Sequence, residues 1–388
     1  MINLFLFMLL FLIIAGMISG YSKRRIQLES VDISEHGIIK VDLRAIIVLF
    51  LISIVLVLLV TYRSEYTGTD TKQYMLNWSF GAESAMRRAW SSGEIFFWSI
   101  FAFCIKYANI RVAFFIYALI SIWFVLIAIY KLSFKTNPFY VTFVYLLLFY
   151  QECFNLLRQM PAMAFAFLAF TYVFDRKLIR YVILMVSAVM FHSSAILAFP
   201  IYWIYRRKKM KISSIAGWTI GISIVLVGFQ SIVIYAVNVL GFTRFVQYID
   251  SMSERISTSG LGWLYGFLIM IPLYLILYYA DNKSSTYESL QNDPYEVQFL
   301  WLLSIIVGVS ALLRLYVNWI FRVGYYYQIG MVLLGGMFSK KAYIGHNRRN
   351  YTVSKLGLLI SIYYIVYYIY LNYFNNFASS ALVNFHLN

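Results

Sequence analysis

From Ala45 to Thr61 the chain reads AIIVLFLISIVLVLLVT, without a charge and with only Ser53 and Thr61 to offer a hydroxyl. A helix needs about 20 apolar residues, rising 1.5 Å each, to traverse a bilayer's hydrocarbon. Comparable runs occupy 4–20, 112–130, 138–153, 160–174, 213–240, 261–280, 297–316, 323–338 and 356–374. Two stretches fit less simply: 95–108 is apolar but short, and 181–205 is long, with His192 near its middle. The pattern predicts an all-α polytopic integral membrane protein, with about 10–12 transmembrane helices plus re-entrant or short helices. No long polar insertion, Pro/Gly linker or internal repeat divides the chain, so residues 1–388 read as a single integral membrane domain.

Composition closes the other routes. Of the 388 residues, 62% are hydrophobic and 12% charged, against about 25% charged in soluble domains. Disorder, collagen, coiled coil and a disulfide scaffold are excluded. Cys104 and Cys153 both lie in apolar runs, which predicts neither a disulfide framework nor a metal cluster.

The net charge of +16 would suggest nucleic acid on a soluble surface. Here it reads as membrane orientation, because cytoplasmic loops gather Lys and Arg; no nucleic-acid partner is expected. The first run has no basic segment before it, while Lys23, Arg24 and Arg25 follow it. That order is not a cleavable signal peptide; it places the N-terminus outside and 21–44 inside. The cluster Arg206 to Lys211 and the segment Lys340 to Lys355 are expected to be cytoplasmic as well.

Two topologies satisfy these anchors. In the first, 95–108 is a re-entrant or interfacial helix on the outer side and 181–205 is a hairpin returning to the cytoplasm. In the second, both segments cross once, exchanging the sides of 106–180. The first puts 21 of the 32 basic residues inside and the second 19, a slight preference for the first.

A charge in or beside hydrocarbon costs at least about 2.5–3.5 kcal/mol at a helix centre, whereas Lys and Arg at helix ends escape by snorkelling. A short list of polar residues passes that filter. Asp70, in Gly68-Thr69-Asp70-Thr71-Lys72-Gln73-Tyr74, reads either as a helix cap or as a carboxylate aimed into an external cavity. Glu94, in Gly93-Glu94-Ile95-Phe96-Phe97-Trp98, sits where a helix dipole would favour it and is equally readable as a cap. Arg158 and Gln159 stand between two closely spaced apolar runs, with Pro161 suited to a first helical turn; an arginine fork there matches a pyrophosphate. His192 reads either as a satisfied core histidine or as the tip of a re-entrant hairpin, since irregular backbone at depth needs protein or water beside it. Arg314, Asn318 and Arg322 recur every four residues and lead into Tyr325, either an anion cradle on one helix face or an interfacial belt. Phosphate-binding glycine loops, Walker patterns, metal-ligand spacings and nucleophile elbows are absent from the sequence. No cofactor and no metal are expected.

The order of these elements resembles the EpsG-like, Wzy-type polysaccharide polymerases. The likeness rests on G-x-D-x-x-x-Y (Gly68, Asp70, Tyr74), G-E-x-x-[FY] (Gly93, Glu94, Phe97) and N-x-x-R-Q (Asn155, Arg158, Gln159). It continues with F-H-x-S-A (Phe191, His192, Ser194, Ala195) and R-x-x-Y (Arg322, Tyr325), covering about residues 60–340. The resemblance implies a GT-C-like glycosyltransferase of the bacterial inner membrane that joins undecaprenyl-pyrophosphate-linked repeat units at the periplasmic face, in O-antigen or exopolysaccharide biosynthesis. It implies membrane lipid, a chain-length regulator and a flippase as partners. It also favours the first topology, which brings the matched polar residues to one outer cavity.

On that basis Arg158, Arg314 and Arg322 are candidates to hold the leaving pyrophosphate, with Gln159, Asn318 and Tyr325 beside them. Asp70, Glu94 and His192 are candidates for the base that takes the acceptor hydroxyl's proton. Trp78, Trp90 and Tyr326 are candidates to stack on sugar faces. A transporter or flippase for lipid-linked oligosaccharides, an O-antigen ligase and a membrane acyltransferase are the rivals. The first would call for related halves, which the sequence lacks.

Overall fold

The computed structural model describes residues 2–28, 32–34, 37–68, 70–205, 268, 271, 294–313, 320–338, 340–345, 348–353, 355–370, 372 and 385. The chain falls into two compact units, one of residues 1–202 with 335–388 and the other of 203–334. The sequence span at 213–240, and that at 261–280 apart from residues 268 and 271, lie outside the described residues.

The first unit is helical because its long apolar runs can satisfy backbone groups in no cheaper way. Helix α1 covers Ile2–Leu28 and α2 Leu43–Thr61, the latter started by Asp42, whose carboxylate accepts from the Ala45 amide at 2.8 Å. Two short helices, α3 (Thr71–Ser79) and α4 (Gly81–Ser92), precede α5 (Ile95–Tyr107). Helix α6 (Ile110–Leu132) is started by the Asn109 side chain, and α7 (Pro138–Phe149) by Asn137 with Pro138 in the first turn. The expected span at 138–153 ends early: a tight 3₁₀ turn at Tyr150–Phe154 makes an elbow before α8 (Gln159–Phe174). Helix α9 (Leu178–Phe191) stops at His192, which is extended; a 3₁₀ turn (Ser193–Ala198) and the short α10 (Ile201–Ile204) follow.

In the second unit, α11 (Pro294–Leu313) and α12 (Ile320–Phe338), whose last residues belong to the first unit, approach at glycines. A Cβ on Gly330 would sit 2.5 Å from that of Leu303, the close approach small residues permit. The basic segment expected as a plain loop after α12 forms an antiparallel two-stranded hairpin, β1 (Lys340–Gly345) and β2 (Arg348–Val353), with Lys340 opposite Val353. Helix α13 (Lys355–Ile369) packs on α7.

Three helices, Asn3–Leu28, Leu43–Thr61 and Ile110–Leu132, are long and apolar enough to cross a membrane by length and composition, and several shorter apolar helices accompany them. The protein is an all-α polytopic membrane protein, with the hairpin as its small addition.

The packing decides how 62–110 and 181–205 run. Arg111, at the start of α6, donates to the carbonyls of Thr61 and Arg63 at 3.0 and 2.8 Å. At the far end the Trp123 indole donates to the Ile46 carbonyl at 3.1 Å. Helices α2 and α6 are therefore antiparallel neighbours, and residues 62–110 leave and return at the same end of the pair. They do not cross. Likewise Tyr181, near the start of α9, donates to the carbonyls of Ala198 and Phe199, and Arg176 donates to that of Tyr202. The chain after His192 folds back along α9 to the level where α9 began. At about 21 Å, the length of 14 helical residues, α9 is shorter than a hydrocarbon layer of about 30 Å. Both segments turn back on themselves, the course that the first topology gives them.

Candidate functional site

The site forms where the two returning segments meet the elbow. Gly93, with φ +72°, closes α4 and turns the chain into α5; the left-handed conformation suits glycine. Helices α4 and α5 form a hairpin, and Glu94 is its tip. Tyr117 donates to the Phe97 carbonyl at 2.8 Å with its ring stacked 4.6 Å from Phe97. Since Tyr117 lies two turns into α6, Phe97 sits about 10 Å below the start of that helix and the tip, one turn before it, deeper still.

At that depth Glu94 is 2% exposed. It occupies the cap position of α5, yet its side chain makes no cap bond. One carboxylate oxygen instead accepts from Arg158 Nη1 at 2.8 Å. The other lies 2.5 Å from His192 Nδ1. Burial alone would raise the Glu94 carboxyl, but the His192 hydrogen bond and the Arg158 cation outweigh it and hold the group below its ordinary value. A carboxylate is an acceptor only, so Nδ1 carries the proton in that bond and neutral His192 keeps its lone pair on Nε2.

Arg158 stands at the end of the elbow, immediately before α8, and also hydrogen-bonds the Tyr74 hydroxyl. Its side chain is 39% exposed while that of Glu94 is 3%, and Nη1 is committed to the carboxylate. Tyr74 is buried on α3, and burial keeps its phenol protonated by raising its pKa. Phe96, Phe165 and Phe191 pack together beside the cluster, with Phe165–Phe191 at 5.5 Å and Phe96–Phe191 at 5.8 Å. These rings keep water from the flank, where a low dielectric strengthens each charge interaction.

The structure thus brings together three of the sequence-predicted residues, Glu94, Arg158 and His192. Gln159 follows as the buried first residue of α8. Asp70 precedes α3, one turn before Tyr74 and within its electrostatic reach, and makes no side-chain cap bond. Tyr325 is half-buried on α12 and Arg322 lies on the same helix, both in the second unit; Arg314 and Asn318 lie outside the described residues. Of the proposed sugar-stacking rings, Trp90 is exposed, Trp78 packs edge-on against Phe101 at 5.4 Å, and Tyr326 is buried.

One residue was not singled out from sequence. Arg63 is fully buried, donates to Thr71 Oγ1 at 3.1 Å and to the Val60 carbonyl at 2.8 Å, and lies 4.0 Å over the Phe114 ring. It ties the end of α2 to α3. Gly68, at φ +86°, packs so tightly on the elbow that a Cβ would come 2.7 Å from the Phe154 carbonyl oxygen and from Asn155 Oδ1. The sequence signal for Arg63 was an arginine two residues after a span, the usual mark of snorkelling.

Groups of three or more His, Cys, Asp or Glu able to hold a metal are absent among the described residues. No curated protein and no solved structure matches the chain. The sequence profile of the EpsG family matches residues 46–385, well over half its length, with Gly68, Glu94, Arg158 and His192 inside the match. The chain belongs to the EpsG family.

Proposed function

We propose that the protein is a polysaccharide polymerase that joins undecaprenyl-pyrophosphate-linked repeat units at the periplasmic face of the bacterial inner membrane. The observation that carries this reading is the buried Glu94, bonded through one oxygen to Arg158 and through the other to His192. Family membership supports it.

The chemistry is a displacement at an anomeric carbon. The acceptor sugar's hydroxyl oxygen forms the new bond to that carbon, and the old bond to the pyrophosphate oxygen breaks, its electron pair leaving with the pyrophosphate. The hydroxyl's proton passes to His192 Nε2. Glu94 fixes the ring's orientation and tautomer and stabilises the imidazolium that results, as the buried carboxylate does in a Ser-His-Asp triad. Positioned proton transfer of this kind contributes about 10²–10⁴-fold. Arg158, anchored by Glu94 and Tyr74, presents the exposed part of its side chain to the leaving pyrophosphate, and a preorganised cation beside a water-poor flank stabilises charge as it develops. Among Asp70, Glu94 and His192, this reading makes His192 the base and Glu94 its positioning residue. Arg314 and Arg322 remain proposed pyrophosphate ligands, and a chain-length regulator and a flippase remain proposed partners.

The test is a sugar ladder from cells producing Arg158→Ala or His192→Ala at normal protein level. The expected result is single repeat units attached to their final carrier with no longer polymer. Full-length polymer in both variants would overturn the reading. An almost complete loss of attached units would point to the transporter instead, and free polymer without attachment to the ligase.

A further inference from the structure

We infer that a groove on the α4–α5 hairpin holds the pyrophosphate of the second, acceptor substrate. The inference rests on the polymerase reading, because only a reaction between two lipid-linked units needs two such heads bound at once. The donor's pyrophosphate leaves from the reacting carbon and must lie at Arg158. The acceptor's pyrophosphate is attached at the opposite end of its repeat unit from the attacking hydroxyl. It must therefore lie one short oligosaccharide away, at the same end of the helix bundle.

A groove of about 850 Å³ meets both conditions. It lies at the open end of the hairpin whose tip is Glu94, lined by Phe80, Met86 and Arg87 from one side and Phe103, Lys106 and Tyr107 from the other. Arg87 is seven residues and Lys106 twelve residues along the chain from Glu94, which at 1.5 Å per helical residue puts the groove's cations about 10 and about 18 Å from the hairpin tip. Tyr107 closes α5 just before Asn109 caps α6, so the groove opens at the level where Arg111 meets the end of α2. The proposed function places that end at the periplasmic face.

Its chemistry suits a phosphate-bearing lipid better than a water-filled cleft. Helix α4 buries Ala85 and Ala89 and exposes Met86, Arg87 and Trp90, the mix of basic and apolar side chains that settles at a membrane interface. Lys106 Nζ lies 5.1 Å over the Tyr107 ring, and Phe80 and Phe103 are exposed beside it. Two cations face one carboxylate, Glu83, which stands 3.8 Å from Arg87 with both side chains largely in solvent. So loose a pair contributes little and leaves the Arg87 fork open to phosphate oxygens, which it can meet two at a time.

Native mass spectrometry of the full chain, titrated with undecaprenyl pyrophosphate bearing no sugar, tests this without requiring turnover. Wild type is expected to carry two lipids. The double variant Arg87→Gln with Lys106→Gln is expected to carry one, the affinity for the second falling at least about tenfold; Arg158→Ala should also carry one. The lipid that the double variant retains shows that it is folded. Two lipids retained by the double variant would overturn the groove, as would displacement of the second lipid by equimolar phosphatidylglycerol, which would make it a general anionic-lipid surface. One lipid on wild type, lost in Arg158→Ala, would remove the groove and keep the polymerase. No binding to wild type at all would remove both.

Discussion

At the Leu43 end of the first unit, ion pairs join neighbours in sequence: Arg25 with Asp42, Lys40 with Asp32, and Lys177 with Asp175. At the opposite end Glu94 binds Arg158 and His192, 64 and 98 residues away. The first kind of pair follows from loops that are basic for orientation and have local acids to hand, and each keeps at least one member in solvent; in the most open, Lys40 and Asp32 are 58% and 65% exposed. The second needs three separate segments to converge on one nearly inaccessible carboxylate. A buried charge pair is seldom a gain in stability over apolar packing, and a perturbed carboxylate with specific charged partners is the ground on which a site is proposed there.

If that contrast is right, Glu94→Gln should have the largest effect of any single change. The amide keeps the volume but removes the charge and offers His192 a donor where it had an acceptor, favouring the wrong tautomer. Polymerisation should fall about 10³–10⁴-fold, the scale of the equivalent change in a Ser-His-Asp triad, measured as repeat units joined per unit protein. The same carboxylate sets a pH dependence. Its folded-state pKa is depressed, so its contribution to stability is fully present above the ordinary glutamate value of about 4.3 and is lost as pH falls through the lower folded value. Thermal unfolding of wild type should therefore show an acid-side loss that Glu94→Gln lacks. An unchanged rate with an unchanged acid limb would make the Glu94 cluster no different from the Asp32 pair.

Arg158→Lys should come next. It keeps the cation but not the fork, so one amine must serve Glu94, Tyr74 and the pyrophosphate together. A loss of about 10–100-fold is expected, each forfeited charged hydrogen bond being worth about 1.5–3 kcal/mol before solvent exposure reduces it. A Lys variant as active as wild type would mean that only charge, and not bidentate geometry, is used.

How much of this the sequence carried depends on the range of the interaction. The apolar runs and the unusual lengths of 95–108 and 181–205 are local properties, and local properties are legible. Glu94 and Asp70 were also placed correctly before helices, and of the two readings given to each, the cap fails because neither side chain makes a cap bond. For Glu94 the competing partners come from residues 158 and 192, and no periodicity reports a contact over that distance. Arg63 was missed for a related reason: at the end of a span, a snorkelling arginine and a fully buried one look alike in sequence. The 3₁₀ elbow at 150–154 continues the apolar run of α7 without a change in composition, so its break was invisible as well.

Gly68→Ala should have a smaller effect than either site variant, and a different one. At φ +86° the alanine is strained, and its Cβ would meet the Phe154 carbonyl and Asn155 Oδ1 at 2.7 Å. Either the loop or the elbow must shift. A cost of about 1–3 kcal/mol is expected, read as a lower unfolding temperature, with activity reduced because the elbow carries Arg158. Full stability would show that the loop yields without moving the elbow.

The smallest effect belongs to the other end. Asp32→Asn removes the partner of Lys40, but both side chains already stand mostly in water. Exposed pairs of this kind contribute about 0–1 kcal/mol, and the asparagine stays solvated, so no buried charge is left behind. Stability should change by less than about 0.5 kcal/mol and polymer length not at all, measured in the cells used for Glu94→Gln. A loss of polymer in Asp32→Asn at normal protein level would mean that the exposed pairs at the Leu43 end also serve the chemistry. The two ends of the first unit would then cease to separate the charges that act from those that orient.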